Sequence, residues 1–281
     1  MRRVSRRALR LMALFTLLPC VAASRSRSAK GGAARPLALA KVLYINLDKS
    51  EVRRAHMIRM LTAAKLSAPF ERWSATAGSS LSDDVLQAAH KKFVRAPHQT
   101  YETWRNTIGC RTSHLNLVSD LLEHGKGNEV YLVLEDDAHL RANFGEKLDA
   151  LIAAAPHDWH VLRFACWGLH GIRHPSYRDA TSNEASHLGV RVLRMLKRDG
   201  PEANSSYCAS RNFCAYCGGA HAVIYRHEHL KKVLLSARRY RGYDCALGTP
   251  QDGLISYCLQ TPDHWVSVNR TIPSTRAGAM R

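Results

Sequence analysis

Three carboxylates in a row, Glu135, Asp136 and Asp137, directly follow the apolar run Val130-Tyr131-Leu132-Val133-Leu134. Side chains alternate in direction along extended backbone, so Glu135 and Asp137 share one side and Asp136 takes the other. Two carboxylates on one side hold a hard divalent cation, and such a cation neutralises a diphosphate. The triplet fits equally well a polar strand end turning into a solvated loop. Spacing alone leaves both open.

The elements that would have to position these acids come next. Five consecutive apolar residues predict a strand buried on both faces, as in sheets covered by helices on each side. In open α/β sheets ligands gather beyond the carboxyl ends of the strands, which is where the acids fall. Lys41–Asp48 predicts a second such strand. Glu51–Lys65 predicts a helix with Met57, Ile58, Leu61 and Ala64 on one face and Arg53, Arg54 and Arg59 off it. Ser82-Asp83-Asp84 reads as a capped start for a helix over Val85–Lys92. Residues 94–108 show no period and are expected as an exposed loop. A helix is expected over Ser113–Leu122, another over Asn143–Ala155, and a strand over His160–Phe164. Residues 168–212 are polar and irregular, and loops this long are usually functional or disordered. Gly219–Tyr225 predicts a late strand, followed by a helix around Leu230, Val233 and Leu234. Gln251–Leu259 places Leu254, Ile255, Cys258 and Leu259 at helical spacing. Strand and helix alternate without repeats, which predicts a single α/β domain with a mainly parallel central sheet flanked by helices.

The chain has 281 residues, 46% of them hydrophobic, enough for one sizeable domain. Its net charge of +18 is unevenly spread: nine of the 41 Lys and Arg fall in residues 1–35, which hold no acid. The milder excess over the remainder suits an anionic small substrate or a membrane-proximal surface. With no zinc finger, basic helix or aromatic-interleaved RNA motif, nucleic acid is not an expected partner.

Arg-rich residues 2–10 precede the uncharged run 11–23, which ends in small residues. That pattern predicts a signal peptide or short signal anchor over 1–23, giving possible membrane attachment through the N-terminus. A flexible stem is expected over 24–40, with its Ser-Arg repeats and Gly31-Gly32, and the folded domain over 41–281. The compartment implied is the lumen of the secretory pathway, endoplasmic reticulum or Golgi. An organellar transit peptide is the alternative, since the first acid is Asp48. Sequons at Asn204 and Asn269 favour the secretory route weakly. Of eight cysteines, Cys20 belongs to the leader, and Cys208, Cys214, Cys217, Cys245 and Cys258 crowd the last third. One or two local disulfides account for them better than zinc does in that compartment. Cys110 and Cys166 are the candidates for a remaining thiol, and a Cys110–His114 nucleophile is conceivable.

Three stretches, Val42–Arg54 (VLYINLDKSEVRR), Ile108–Leu117 (IGCRTSHLNL) and Tyr131–Asp137 (YLVLEDD), resemble successive signatures of glycosyltransferase family 25. The family includes lipopolysaccharide β-galactosyltransferases and procollagen galactosyltransferases. Gly218–Ile224 resembles a small-residue strand in its C-terminal part, and Asp252 the acid after it. The resemblance implies a GT-A-like fold, a UDP-hexose donor (galactose or glucose), Mn²⁺ or another divalent cation, and inversion at the anomeric carbon. The acceptor would be a glycan, lipid-linked or protein hydroxyl. It implies Glu135 and Asp137 as metal ligands, with Asp137 stabilising the leaving UDP through the metal. Glu135 or Asp136 would contact the ribose or the metal shell. Asn46, Asp48, Arg53 and Arg54 would face the nucleotide. Ser113 and His114 match a family motif, His114 either binding donor phosphate or capping its helix. Asp252 is the candidate base for the acceptor hydroxyl, with a helix N-cap acid as its plain alternative.

Two other classes compete. A non-catalytic glycan-binding relative would keep the fold, although such a relative could lose the three acids without losing its sheet. A secreted zinc or redox protein would instead be built on Cys208–Cys217.

Overall fold

A computed structural model of the chain describes residues 37–93, 99–164, 177–195, 219–239, 242–248 and 252–269. The leader, the stem up to residue 36, the sequon at Asn204 and Cys20, Cys166, Cys208, Cys214 and Cys217 lie outside them. The described elements run β1 (Ala38–Asn46), α1 (Glu51–Ala63), β2 (Phe70–Ser74), α2 (Asp83–Lys92), α3 (Tyr101–His124), β3 (Glu129–Glu135), β4 (Ala138–Leu140) and α4 (Phe144–Ala154). They continue with β5 (Val161–Phe164), β6 (Tyr177–Asp179), α5 (Asn183–His187), β7 (Arg191–Met195), β8 (Ala222–Arg226), α6 (Leu230–Ala237), α7 (Tyr243–Gly248), β9 (Ser256–Gln260) and β10 (Val266–Val268).

Among these residues eight strands form one sheet in the order β2-β1-β3-β8-β5-β9-β7-β6. β1 runs parallel to β2 and β3, and β5 parallel to β9. β8 enters antiparallel between β3 and β5. The sheet is closed off by the antiparallel pairs of β7 with β9 and β6 with β7. One edge therefore collects the carboxyl ends of β1, β3, β5 and β9 together with the start of β8. A short ribbon of β4 and β10 rises above that edge.

The unbroken apolar runs follow from burial on both faces. Val42, Tyr44, Leu132 and Leu134 point into a core under α1 and α4, with Met57, Leu61, Phe144 and Leu148. Leu43, Ile45, Tyr131 and Val133 point the other way, into a core under α3, α6 and α7. Each such fully buried Leu or Val contributes about 1.5–3 kcal/mol.

Local departures from expectation have identifiable causes. Residues 38–40, expected in the stem, already pair with β3 at Glu129 and Val130. Part of the expected loop 94–108 is the first half of α3: Thr100 caps it by accepting from Thr103 N at 3.1 Å, and Trp104 and Ile108 are buried one turn apart. On α1, Arg53 is buried and Ile58 is 43% exposed, the reverse of the apolar-face assignment, because a buried acid draws Arg53 inward. The helix expected over 251–259 is instead a turn and strand β9. Its Ser256, Tyr257, Cys258 and Leu259 are all buried, and a strand covered on both faces has no period to tell it from a helix.

Candidate active site

β3 ends at Glu135 on the collecting edge, and Asp136 and Asp137 form the turn that leads into β4, with Asp136 facing away from the other two acids. Asp136 turns into the protein. Its Oδ1 accepts from Arg53 Nη1 at 2.6 Å and its Oδ2 from Asn46 Nδ2 at 2.8 Å. Burial pushes the Asp136 carboxyl up, against the lowering by Arg53 and Asn46. Two donors at these distances mark it as an ionised acceptor. Asn46 and Arg53, expected at the nucleotide, are buried in this pair. Arg54 is fixed beside them, its Nη2 on Asp48 O at 2.6 Å and its Nε on Asn46 Oδ1 at 3.3 Å. Asp48 accepts from Ser74 Oγ at 2.7 Å and Arg72 Nη1 at 2.8 Å, and those bonds hold its carboxyl below the usual range. The carboxyl end of β1 is thus knitted to α1 and β2, and Asp136 to β1.

Glu135 and Asp137 face the other way and meet a histidine that sequence reasoning did not single out as a ligand. His221 precedes β8, whose antiparallel pairing brings His221 O to Glu135 N at 2.9 Å. Its Nδ1 lies 2.9 Å from Glu135 Oε2 and 3.1 Å from Asp137 Oδ1. Gly219 adopts a positive φ of 102° just before it, and Ala220 is buried, so small residues let the chain turn in beneath the acids. The signal was a polar His between Gly218-Gly219-Ala220 and an apolar strand. What it faces was invisible locally, because an inverted strand gives no local sign of its neighbours.

Burial alone would lower the His221 pKa. Glu135 and the hydrogen bonds to Asp137 and Glu135 outweigh it and raise the imidazole to about 10. Glu135 is held well below the usual carboxylate range by His221 and His114 despite its burial.

His114, on α3, approaches Glu135 from the other side, with Nε2 3.1 Å from Oε1. Its ring stacks on Tyr243 at 4.4 Å. Nδ1 is buried with no hydrogen-bond partner among the described residues, which fits the tautomer that donates from Nε2 to Glu135. His114 therefore sits mid-helix as an orienter of Glu135 and caps nothing. Cys110, present as a thiol, has its Sγ 3.7 Å from the same Oε1. Cys110 and His114 both address Glu135.

Ser113 is 1% exposed and belongs to packing: its Oγ accepts from Thr76 N and donates to Gly109 O, both at 2.8 Å. One turn back, a Cβ at Gly109 would lie 2.7 Å from Gly78 N. Gly109 and Ser113 together seat the turn after β2 against α3. Asp252 lies elsewhere in kind. With Gly253 it forms a turn in which both residues have positive φ, 56° and 72°, a conformation Asp-Gly accommodates readily. Its two oxygens accept from Arg239 at 2.8 and 2.6 Å. A strand follows it, so no helix is there for it to cap.

Among the described residues two groups have ligand atoms within 4.8 Å of one another: Glu135, Asp137 and His221, and Cys110, His114 and Glu135. The first presents two carboxylates and an imidazole, each side chain 15–21% exposed, so the open side can take further oxygen ligands. That donor set suits a borderline-hard divalent ion such as Mn²⁺. The second is closed in by the Tyr243 ring and includes a soft thiol, which suits a packed support better than a catalytic ion.

Residues 39–177 match the model of glycosyltransferase family 25, described as an LPS biosynthesis protein. No curated protein matches the chain significantly. A solved structure with some similarity is the apo form of mouse xyloside xylosyltransferase 1. It is 13% identical, with a TM-score of 0.32, over 78% of this chain and 74% of that one, a likeness too low to bear on chemistry.

Proposed function

The chain belongs to glycosyltransferase family 25 through residues that include β1, α3 and the three acids, and on that footing we propose that it transfers a hexose, galactose or glucose, from a UDP-sugar with inversion. The observation that carries this is the convergence of Glu135 Oε2 and Asp137 Oδ1 on His221 Nδ1 at the carboxyl edge of the sheet.

In this proposal Glu135, Asp137 and His221 hold a divalent cation, Mn²⁺ by preference. When bound it supplies positive charge for a diphosphate and for the leaving UDP. The residues do the rest. His114 and Cys110 fix the Glu135 carboxylate so that it presents one oxygen to the open side. Asp136, tied to Arg53 and Asn46, locks the end of β3 against α1, so the two neighbouring acids cannot rotate away. Asp48 and Arg54, at the end of β1 and partly exposed, are the nearest described candidates for the nucleotide's polar groups. Asp252 is the base proposed from the resemblance, and its Arg239 partner argues for a weak one.

The acceptor is a glycan, lipid-linked or protein hydroxyl, and the leader directs the enzyme to the secretory lumen. The N-terminal residues 1–23 and the sequons are what support that placement. Among the described residues no helix is long and apolar enough to cross a membrane.

The test is Mn²⁺-dependent release of UDP from UDP-galactose and UDP-glucose by the purified chain. Release that EDTA abolishes and Mn²⁺ restores is expected. No release from any UDP-sugar, with or without acceptor, overturns the proposal.

A further inference from the structure

Between α1 and the β4–β10 ribbon lies a groove of about 730 Å³. Its walls are α1 on one side (His56, Arg59, Met60, Ala63) and the β4–β10 ribbon with its flanks on the other (His139, Leu140, Arg141, Ala142, His264, Ser267). Five of these ten residues are His or Arg and none is acidic, so the described lining has one sign of charge. Its floor is apolar: Met60 and Leu140 are buried and in contact, Leu140 N to Met60 Sδ at 3.0 Å. Arg59, His139, Arg141 and His264 are exposed around it.

Placement ties the groove to the site. His139 comes two residues after Asp137. His56 comes one turn after Arg53, the residue that grips Asp136. β10 brings Asn269 N onto Asp137 O at 2.7 Å. A molecule lying in the groove would therefore end close to the acids.

The histidines there are crowded. The His56 and His139 rings stack at 6.0 Å. Burial, then the neighbouring His139 and Arg59, hold His56 below its usual pKa. Arg59 and Arg141 bring two guanidinium charges to a described lining that holds no acid, and a bound anion is the simplest thing that offsets them.

We propose that this groove binds the acceptor, and that the acceptor is a sugar carrying an anionic group (phosphate, sulfate or carboxylate) held by Arg59 and Arg141 over the Met60–Leu140 floor. That the bound sugar is the acceptor rests on the transferase proposal above; the anion-binding groove does not. Planar guanidinium groups suit all three oxyanions, and an apolar floor suits the face of a sugar ring.

The experiment uses the full chain and four probes: galactose, galactose 6-phosphate, galactose 6-sulfate and galacturonate. Imidazole resonances of His56, His139 and His264 are followed by NMR without donor. The expected result is a saturable shift with the anionic sugars, ranked by group, and none with galactose. Arg59→Gln combined with Arg141→Gln should weaken the best anionic probe about tenfold or more, while Arg59→Lys with Arg141→Lys retains most of the binding. Circular dichroism establishes that each pair of variants is folded. In the transfer assay, the ratio of kcat/KM for the anionic over the neutral acceptor should fall by the same factor in the Gln variant.

Equal shifts with galactose and galactose 6-phosphate overturn the proposal, as does a folded Gln variant that binds like the parent. UDP moving the same resonances more strongly than any sugar assigns the groove to the donor and also overturns it. Acceptor-free UDP release tests transfer separately: a chain that binds galactose 6-phosphate through the arginines but releases no UDP keeps the groove and loses the enzyme.

Discussion

The His221 Nδ1 atom lies 2.9 Å from Glu135 Oε2, just ahead of a strand that runs against the one carrying the acid. With its pKa raised to about 10, His221 without metal is a cation between two carboxylates. The protein thus neutralises this candidate metal site with a proton.

Metal must then displace that proton. The apparent Mn²⁺ affinity should rise by roughly tenfold per pH unit from neutrality towards pH 10, with proton release on binding. Electron paramagnetic resonance of Mn²⁺ titrations across that range checks it. A flat affinity would remove His221 from the ligand set. His221→Gln should abolish the pH dependence and weaken binding.

The same shift bears on stability. His221 is raised in the fold above its ordinary 6.5, so its contribution is fully present below about pH 6.5 and is lost as pH rises towards 10. The Tm of the metal-free protein should therefore fall between pH 7 and pH 10, and saturating Mn²⁺ should reduce that fall. Differential scanning calorimetry with EDTA and with Mn²⁺ separates the two cases.

Asp136 and Asp137, adjacent in sequence, should fail in different ways. Arg53→Ala strands the Asp136 carboxylate and is expected to cost about 3–5 kcal/mol by chemical denaturation, as for breaking other buried pairs. Asp137→Asn should cost less than that, only the Asp137 share of the His221 pairing, and remove Mn²⁺ binding by calorimetry. If Asp137→Asn binds Mn²⁺ like the parent, Asp137 is not a ligand.

Gly109→Ala should disturb the site without touching it. The added methyl meets Gly78 N at 2.7 Å, backbone against backbone, and overpacking of that kind costs about 1–3 kcal/mol. Ser113→Ala, which leaves Thr76 N without its acceptor, should cost a similar amount, about 1–3 kcal/mol. Both are read as a lowered midpoint in urea.

Asp252→Asn is the test of the acceptor base. Asn adopts positive φ as readily as Asp, so the turn survives and any loss belongs to the carboxylate. Because Arg239 engages both oxygens, kcat is expected to fall less than about tenfold, below the range typical for removing a general base. A loss of about a thousandfold would restore Asp252 as the base.

Much of this was legible in the sequence where burial leaves a local mark. β1 and β3 announce themselves as unbroken apolar runs because both faces are covered, and the acids after β3 sit where such strands deliver ligands. α2 was legible from its Ser82 cap and α4 as a helix over nearly its observed span. The first half of α3 was not, since Trp104 and Ile108 are spaced among polar residues that face solvent or the turn after β2. β9 was misread because a doubly buried strand has no period. Arg53 carries no local sign of burial; only Asp136, far along the chain, explains it. His221 escaped for the same reason: its partners are set by β8 entering the sheet upside down between β3 and β5.

The bond from Asn269 N to Asp137 O has a consequence for how the molecule comes together. An acid proposed to hold the metal is secured by the last described strand, so the ion-binding corner is a non-local contact that closes late. A nascent chain with its sheet half assembled would present Glu135 and Asp137 without their clamp. Tight Mn²⁺ uptake should accordingly be among the final events of refolding, and would report that the far end of the chain has docked.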